Sequence, residues 1–256
     1  FAGDAIPASA TGAALALADR LDTLVGIFSI GQQPSGSRDP FALRRASLGI
    51  LRIIIERNID IDLKVAIAAA AQQLALTEVL DGNLEQVLTY VIERLKSWYR
   101  DENITPEVFA SVAAMALSNP LDINARVKAV DEFSRATGAV ALASANKRVL
   151  NILAKQGKTK VATKVDSTLF EDPAEIQLAA EIERLRLLIA PLVEERNYMG
   201  VLAALATLRE PVDTFFDGVL VMADNPEVRA NRLALLHSLR QLFLNVADIS
   251  HLVVTK

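Results

Sequence analysis

Apolar residues recur three and four positions apart along almost the whole chain, and this periodicity most limits what it can fold into. Leu43, Ala46, Ile50 and Ile53 are spaced 3, 4, 3; Leu178, Ile182, Leu185, Ile189 and Leu192 are spaced 4, 3, 4, 3; Leu235, Leu239, Leu242 and Val246 are spaced 4, 3, 4. Each set lays one apolar stripe along a helix, as packing into a bundle requires. Ala and Leu dominate, and Arg and Glu are frequent, all good helix formers. No alternating run is long enough for a sheet. The expected fold class is all-α, built of helical bundle domains. Helices are predicted over 8–28, 40–58, 62–79, 84–101, 106–117, 122–136, 138–156, 173–196, 198–209, 211–222 and 226–246.

The predicted starts share one chemistry. Asp39-Pro40, Thr105-Pro106, Asp172-Pro173 and Asn225-Pro226 each put a capping side chain before a proline. The cap accepts from a free backbone N–H, and proline at the first helical position has no N–H to leave orphaned. Asp172 followed by Glu175 reads as a capping box. Two loops are expected, over 31–37 and 156–171. A domain boundary is expected between Tyr99 and Pro106, giving domains 1–104 and 105–256. No repeat of fixed period is present.

At 256 residues the chain allows one or two domains, and its 52% hydrophobic and 23% charged residues exclude a disordered polymer. No apolar run approaches a membrane span. There is no cysteine, which fits a reducing compartment such as the cytoplasm. The chain begins at Phe1 and is read as a piece of a longer or processed protein.

Catalytic material is thin. The two histidines, His237 and His251, read as structural or surface residues. No phosphate-binding loop, dinucleotide fingerprint, zinc-protease helix or nucleophile elbow occurs. Hence no catalytic residue, no metal and no cofactor are expected on this chain.

The formal net charge of −4 argues against a protein that coats nucleic acid wholesale. It conceals a basic block: residues 146–164 hold Lys147, Arg148, Lys155, Lys158, Lys160 and Lys164 and no acid. The next stretch, 165–200, carries eight acids against three bases. Such a block is either a docking patch for a negative partner or a solvated face with helix-end lysines. Lys147, Asn151 and Lys155 lie along one helical face, flanked by Asn146 and Arg148. A second group, Arg229, Arg232 and Arg240, falls within about 80° on a later helix, although Leu236 intrudes on the arc. Arg and Lys serve phosphates, and Asn can donate to and accept from the edges of unstacked loop bases. Arg44 and Arg45, one turn into their helix, are either partner contacts or ion-pair members. Phe215, Phe216 and Phe243 could stack on bases, but at helical spacing they read as core.

Four ordered stretches resemble the bacterial glycyl-tRNA synthetase beta subunit family. They are Leu17 to Gly31 with Asp39 to Ala46; Ala145 to Val149 with Asn151 to Leu153; Pro211 to Asp217; and Arg229 to Leu233 followed by Leu242 to Ser250. The resemblance covers essentially the whole chain and implies its place near the C-terminal end of a much longer subunit. Residues 1–104 are then the end of an HD-type domain plus body helices, and 105–256 a helical anticodon-binding domain of the DALR type. The resemblance also implies an α2β2 glycine–tRNA ligase. Its alpha subunit activates glycine with ATP and Mg2+, and the beta subunit binds tRNA-Gly. The expected RNA-binding residues are Asn146, Lys147, Arg148, Asn151, Lys155, Arg229, Arg232 and Arg240. The expected partners are tRNA-Gly, the alpha subunit and the remainder of beta, with no membrane.

Leu17 to Leu21 further resembles the last motif of HD phosphohydrolases, whose Asp ligates metal. Asp19 stands in that place, but no His precedes His237 and there is no His-Asp pair. One carboxylate cannot hold a hydrolytic metal, so Asp19 is expected to be metal-free. Two other readings stay open: a helical interaction scaffold without an RNA role, and a degenerate HD phosphohydrolase remnant.

Overall fold

The computed structural model describes residues 5–36, 38–74, 80–155 and 164–252, with the side chains of 80–83 excepted. Among them there are twelve α-helices, three short 3-10 turns and no β-strand. The chain divides into two compact units. The first comprises Phe1–Ile104 and Ala116–Asn124; the second comprises Thr105–Met115 and Ala125–Lys256.

The first unit holds α1 (Ala10–Ser29), α2 (Leu43–Glu56), α3 (Leu63–Gln73), α4 (Leu80–Ile92) and α5 (Arg94–Asp101). The apolar stripes meet as the spacing requires: Leu24, Phe28, Leu43, Ile50, Ile54, Ile67, Val91 and Leu95 are all buried. Residues 116–124 pack here rather than with the following domain. Leu63 N–H donates to the Ser118 carbonyl at 2.9 Å, the Ser118 hydroxyl donates to Asp62 at 2.8 Å, and the Asn119 amide donates to Asp60 at 2.6 Å.

Three predicted helices of the first unit change. The helix expected over 40–58 begins only at Leu43, because Ala42 takes a left-handed conformation at φ 56°. Asp39 still caps it: its carboxylate accepts from Leu43 N–H at 2.8 Å and Arg44 N–H at 3.1 Å. The single helix expected over 84–101 is two, α4 and α5, which meet at Glu93. The helix expected over 62–79 ends at Gln73, and 75–79 lie outside the described residues.

The second unit holds α6 (Pro106–Ala113), most of α7 (Pro120–Ser134), α8 (Ala139–Lys155), α9 (Pro173–Glu194), α10 (Tyr198–Leu205), α11 (Arg209–Gly218) and α12 (Pro226–Leu244). α9 packs against α10, α11 and α12, while α8 packs against α11, α12 and the 3-10 turn Ile249–Leu252. The capping box at Asp172 and Glu175 forms as expected, with Pro173 in the first turn. Asn225 accepts from Glu227 N–H at 2.9 Å, whereas Thr105 makes no side-chain cap. Arg126 ties α7 to the end of α12, donating to the carbonyls of Asn245 and Val246 at 2.7 and 2.8 Å.

The helix predicted over 211–222 stops at Gly218. Val219, Val221 and Ala223 are buried, while Leu220 and Met222 between them are 72% and 47% exposed. That alternation has a period of two, not the helical 3.6, and the chain runs extended at Val219 and bends at Val221 and Met222.

Candidate nucleic-acid interface

The sequence nominates eight residues on two helices, and the structure treats the two sets differently. On α8, Arg148, Asn151 and Lys155 are exposed and Lys147 is half-buried. At 100° per residue, Arg148, Asn151 and Lys155 share an arc of about 60°, opposite the buried residues Leu142, Ala143 and Val149. Neither Arg148 nor Lys155 pairs with a carboxylate among the described residues. The Arg148 guanidinium lies over the Phe216 ring, 4.1 Å from its centroid. Lys158 and Lys160, in the same basic block, lie outside the described residues.

Asn146 does not belong to this face. It is 2% exposed, and its amide donates to the Leu142 carbonyl one turn back at 3.1 Å. Its position between Leu142, Ala143 and Val149 on the apolar arc puts it inward, and the local carbonyl satisfies the buried amide.

The three arginines of α12 are pins of the fold. Arg232 is 6% exposed and grips Glu175 with two hydrogen bonds, at 2.9 and 3.1 Å. It also donates to Glu171 at 3.0 Å and to the Leu220 carbonyl at 3.1 Å. Glu175 is fully buried and accepts as well from the Glu171 and Asp172 N–H groups at the start of α9. One carboxylate thus closes the capping box and neutralises a buried guanidinium. Burial works to raise the Glu175 carboxyl, but the Arg232 and backbone hydrogen bonds outweigh it and hold it below its ordinary value. Arg240 forms a paired contact with Asp248, one bond at 3.1 Å, and Asp248 accepts in addition from the Ser250 hydroxyl. There too burial opposes and the hydrogen bonds win, so the Asp248 carboxyl is lowered. Arg229 is half-buried and donates to the Ala223 carbonyl at 3.0 Å.

Arg229 and Arg232 therefore hold the non-helical segment 219–223 through the carbonyls of Ala223 and Leu220. What that region presents outward is Leu220 and Met222, which sequence reasoning missed by extending a helix across them. Phe216, expected in the core with base stacking as the alternative, is not a full core residue. It is half-buried and stands edge-on to Phe215, centroids 5.6 Å apart, while Phe215 is fully buried. The signal was the Phe-Phe pair itself. Adjacent helical residues point 100° apart, so two neighbours cannot both sit at the centre of one core stripe. Phe243 is buried as expected.

In the first unit, Asp19 is exposed on the rim of a cleft of about 730 Å³, which Arg20, Arg45, Arg52, Trp98 and Glu102 also line. Arg20 lies so close to Gly49 that a Cβ there would come within 2.7 Å of its Nε. Trp98 donates to Glu102 at 2.6 Å, and Arg44 donates to the Gly36 carbonyl. Among the described residues no three His, Cys, Asp or Glu side chains gather as metal ligands, and no helix is long and apolar enough to cross a membrane.

Comparison with known proteins bears on both units. Residues 1–114 match the family model of the glycyl-tRNA synthetase beta subunit, and residues 142–250 match that of the DALR anticodon binding domain. The glycine–tRNA ligase beta subunit of Marinobacter nauticus is 52% identical over 251 residues, that of Pseudomonas aeruginosa 51% over 249, and that of Escherichia coli 46% over 251. These alignments take in 97–98% of this chain but 36% of each relative. With two models that lie in order along it and relatives about half identical across nearly all of it, the chain belongs to the glycyl-tRNA synthetase beta subunit family.

Proposed function

We propose that this chain is a tRNA-binding part of a glycine–tRNA ligase and that its second unit meets the anticodon stem-loop of tRNA-Gly through the outer face of α8. The observation that carries this reading is the exposed set Arg148, Asn151 and Lys155, free of acidic partners among the described residues and inside the stretch matching the anticodon-binding model. Two long cations suit backbone phosphates, and an amide between them suits a base edge. Glycine activation with ATP and Mg2+ belongs, in this reading, to the alpha subunit of an α2β2 assembly working in the cytoplasm. The chain here contributes recognition and no catalytic group.

A titration of the 256-residue chain with tRNA-Gly and a non-cognate tRNA at several salt concentrations tests it. Binding should weaken as salt rises, by about 0.7 log units per log unit of salt for each single-strand phosphate neutralised. Preference for tRNA-Gly should survive the salt increase, because base contacts release no counterions. Absence of binding at low salt would leave the helical scaffold as the better account.

A further inference from the structure

Arg148 is more than an exposed positive charge. Its guanidinium is planar and already has one face on Phe216, at 4.1 Å from the ring centroid. Phe216 is itself held by its edge-on contact with the buried Phe215. The side chain remains exposed, so the second face of the plane is turned to solvent. An arginine used only as a phosphate contact needs no such support, since charge alone attracts a phosphate from many directions. A base needs a flat, fixed surface, and both guanidinium planes and aromatic rings provide one for unstacked loop bases. Asn151 follows three residues later, exposed on the same face.

We infer that Arg148 and Phe216 form a preformed stacking platform for one unpaired nucleobase, with Asn151 placed to hydrogen-bond that base's edge and Phe216 acting as the positioning residue for the guanidinium. Lys155, one turn further on, then takes an adjacent phosphate. The inference rests on the proposed tRNA-binding role of α8 and adds what the face recognises: a base flipped out of its stack, not backbone charge alone.

The test uses the 256-residue chain and tRNA-Gly carrying 2-aminopurine at one anticodon-loop position at a time, since stacking quenches its fluorescence. R148K keeps the charge and removes the plane. F216L keeps an apolar filler and removes the ring. Each should weaken tRNA-Gly binding about tenfold, abolish the quench at one loop position and leave the salt dependence as it was. The double variant should be little weaker than either single, because Phe216 acts through Arg148. K155A should instead lower the salt slope by about 0.7 and keep the quench. If R148K binds and quenches like the parent, or loses affinity with the quench intact, Arg148 is a phosphate contact and the platform is wrong while the tRNA-binding reading stands. If R148E, N151A and K155E combined leave tRNA-Gly binding unchanged, the α8 reading itself is wrong and the platform falls with it. R148K alters an exposed side chain, so its result stands even if F216L disturbs packing.

Discussion

α8 and α12 carry arginines with nearly the same credentials in sequence, and the fold uses them in opposite ways. Arg148 on α8 is exposed, with an aromatic ring beneath it. Arg232 on α12 is buried; its Nε and Nη2 donate to Glu175, the same Nη2 donates to Glu171, and its Nη1 donates to the Leu220 carbonyl. The difference lies in what packs opposite. α8 packs against α11 and α12 and buries the face of Leu142, Ala143 and Val149, whereas α12 lies against α8, α9 and α10, and the acidic start of α9 is brought to it. An arginine beside an acidic helix start 57 residues away in sequence becomes a structural pin; one on an outward face remains available to a ligand.

That contrast can be broken or sharpened by stability measurements, from the largest expected effect to the smallest. Arg232→Ala should cost about 3–5 kcal/mol in denaturant unfolding, because it strands the fully buried Glu175 without its counter-charge. A loss under 1 kcal/mol would mean that Arg232 is no pin. Arg240→Ala should cost about 2 kcal/mol, since Asp248 keeps its Ser250 partner and stays nearly buried. Both pairs also predict acid sensitivity. The Glu175 and Asp248 carboxyls are lowered in the folded chain, so their stabilisation is complete above the unfolded carboxylate value of about 4 and is lost as pH falls through the lowered folded values. An acid-unfolding profile should therefore become shallower in either arginine variant.

Asp172→Ala removes the side chain that accepts from Ala174 N–H at 2.8 Å. It should cost about 1 kcal/mol. A larger loss would show that the cap also positions Glu175 for Arg232. Smallest on stability is the pair Arg148→Glu with Lys155→Glu, expected within about 0.5 kcal/mol per site because both side chains are exposed. The same variant should lose most tRNA-Gly binding. Unfolding of this variant, or unchanged binding, would erase the contrast between the two helices.

The comparison also marks how far the sequence could be read. The apolar spacing of α9 predicted its stripe: Leu178, Ile182, Leu185 and Ile189 are buried, and Leu192 at its end is half-buried. The capping box was legible because its partners lie three residues apart, within one turn. The inward position of Asn146 was legible locally, since it shares the arc of the buried Leu142, Ala143 and Val149. The non-helical segment 219–223 is not legible because the apolar run Val219 to Val221, continuing to Met222 and Ala223, satisfies a helical template as readily as an alternating one. Arg232 and Arg240 were misread for a different reason. Their partners, Glu175 and Asp248, are 57 and 8 residues away, and no spacing rule selects them among 31 acidic residues.

By itself, the sequence determined the helical class, the caps at Asp39, Asp172 and Asn225, most helix positions and, through its ordered motifs, the family. All of these depend on interactions within a few residues or on patterns carried along the chain. Only the tertiary structure decided which cations face solvent, that residues 116–124 pack with the first unit, and that Phe216 lies under Arg148. Those outcomes depend on which distant segment comes to rest against a given face. Burying an arginine is tolerated only where packing supplies its counter-charge and acceptors.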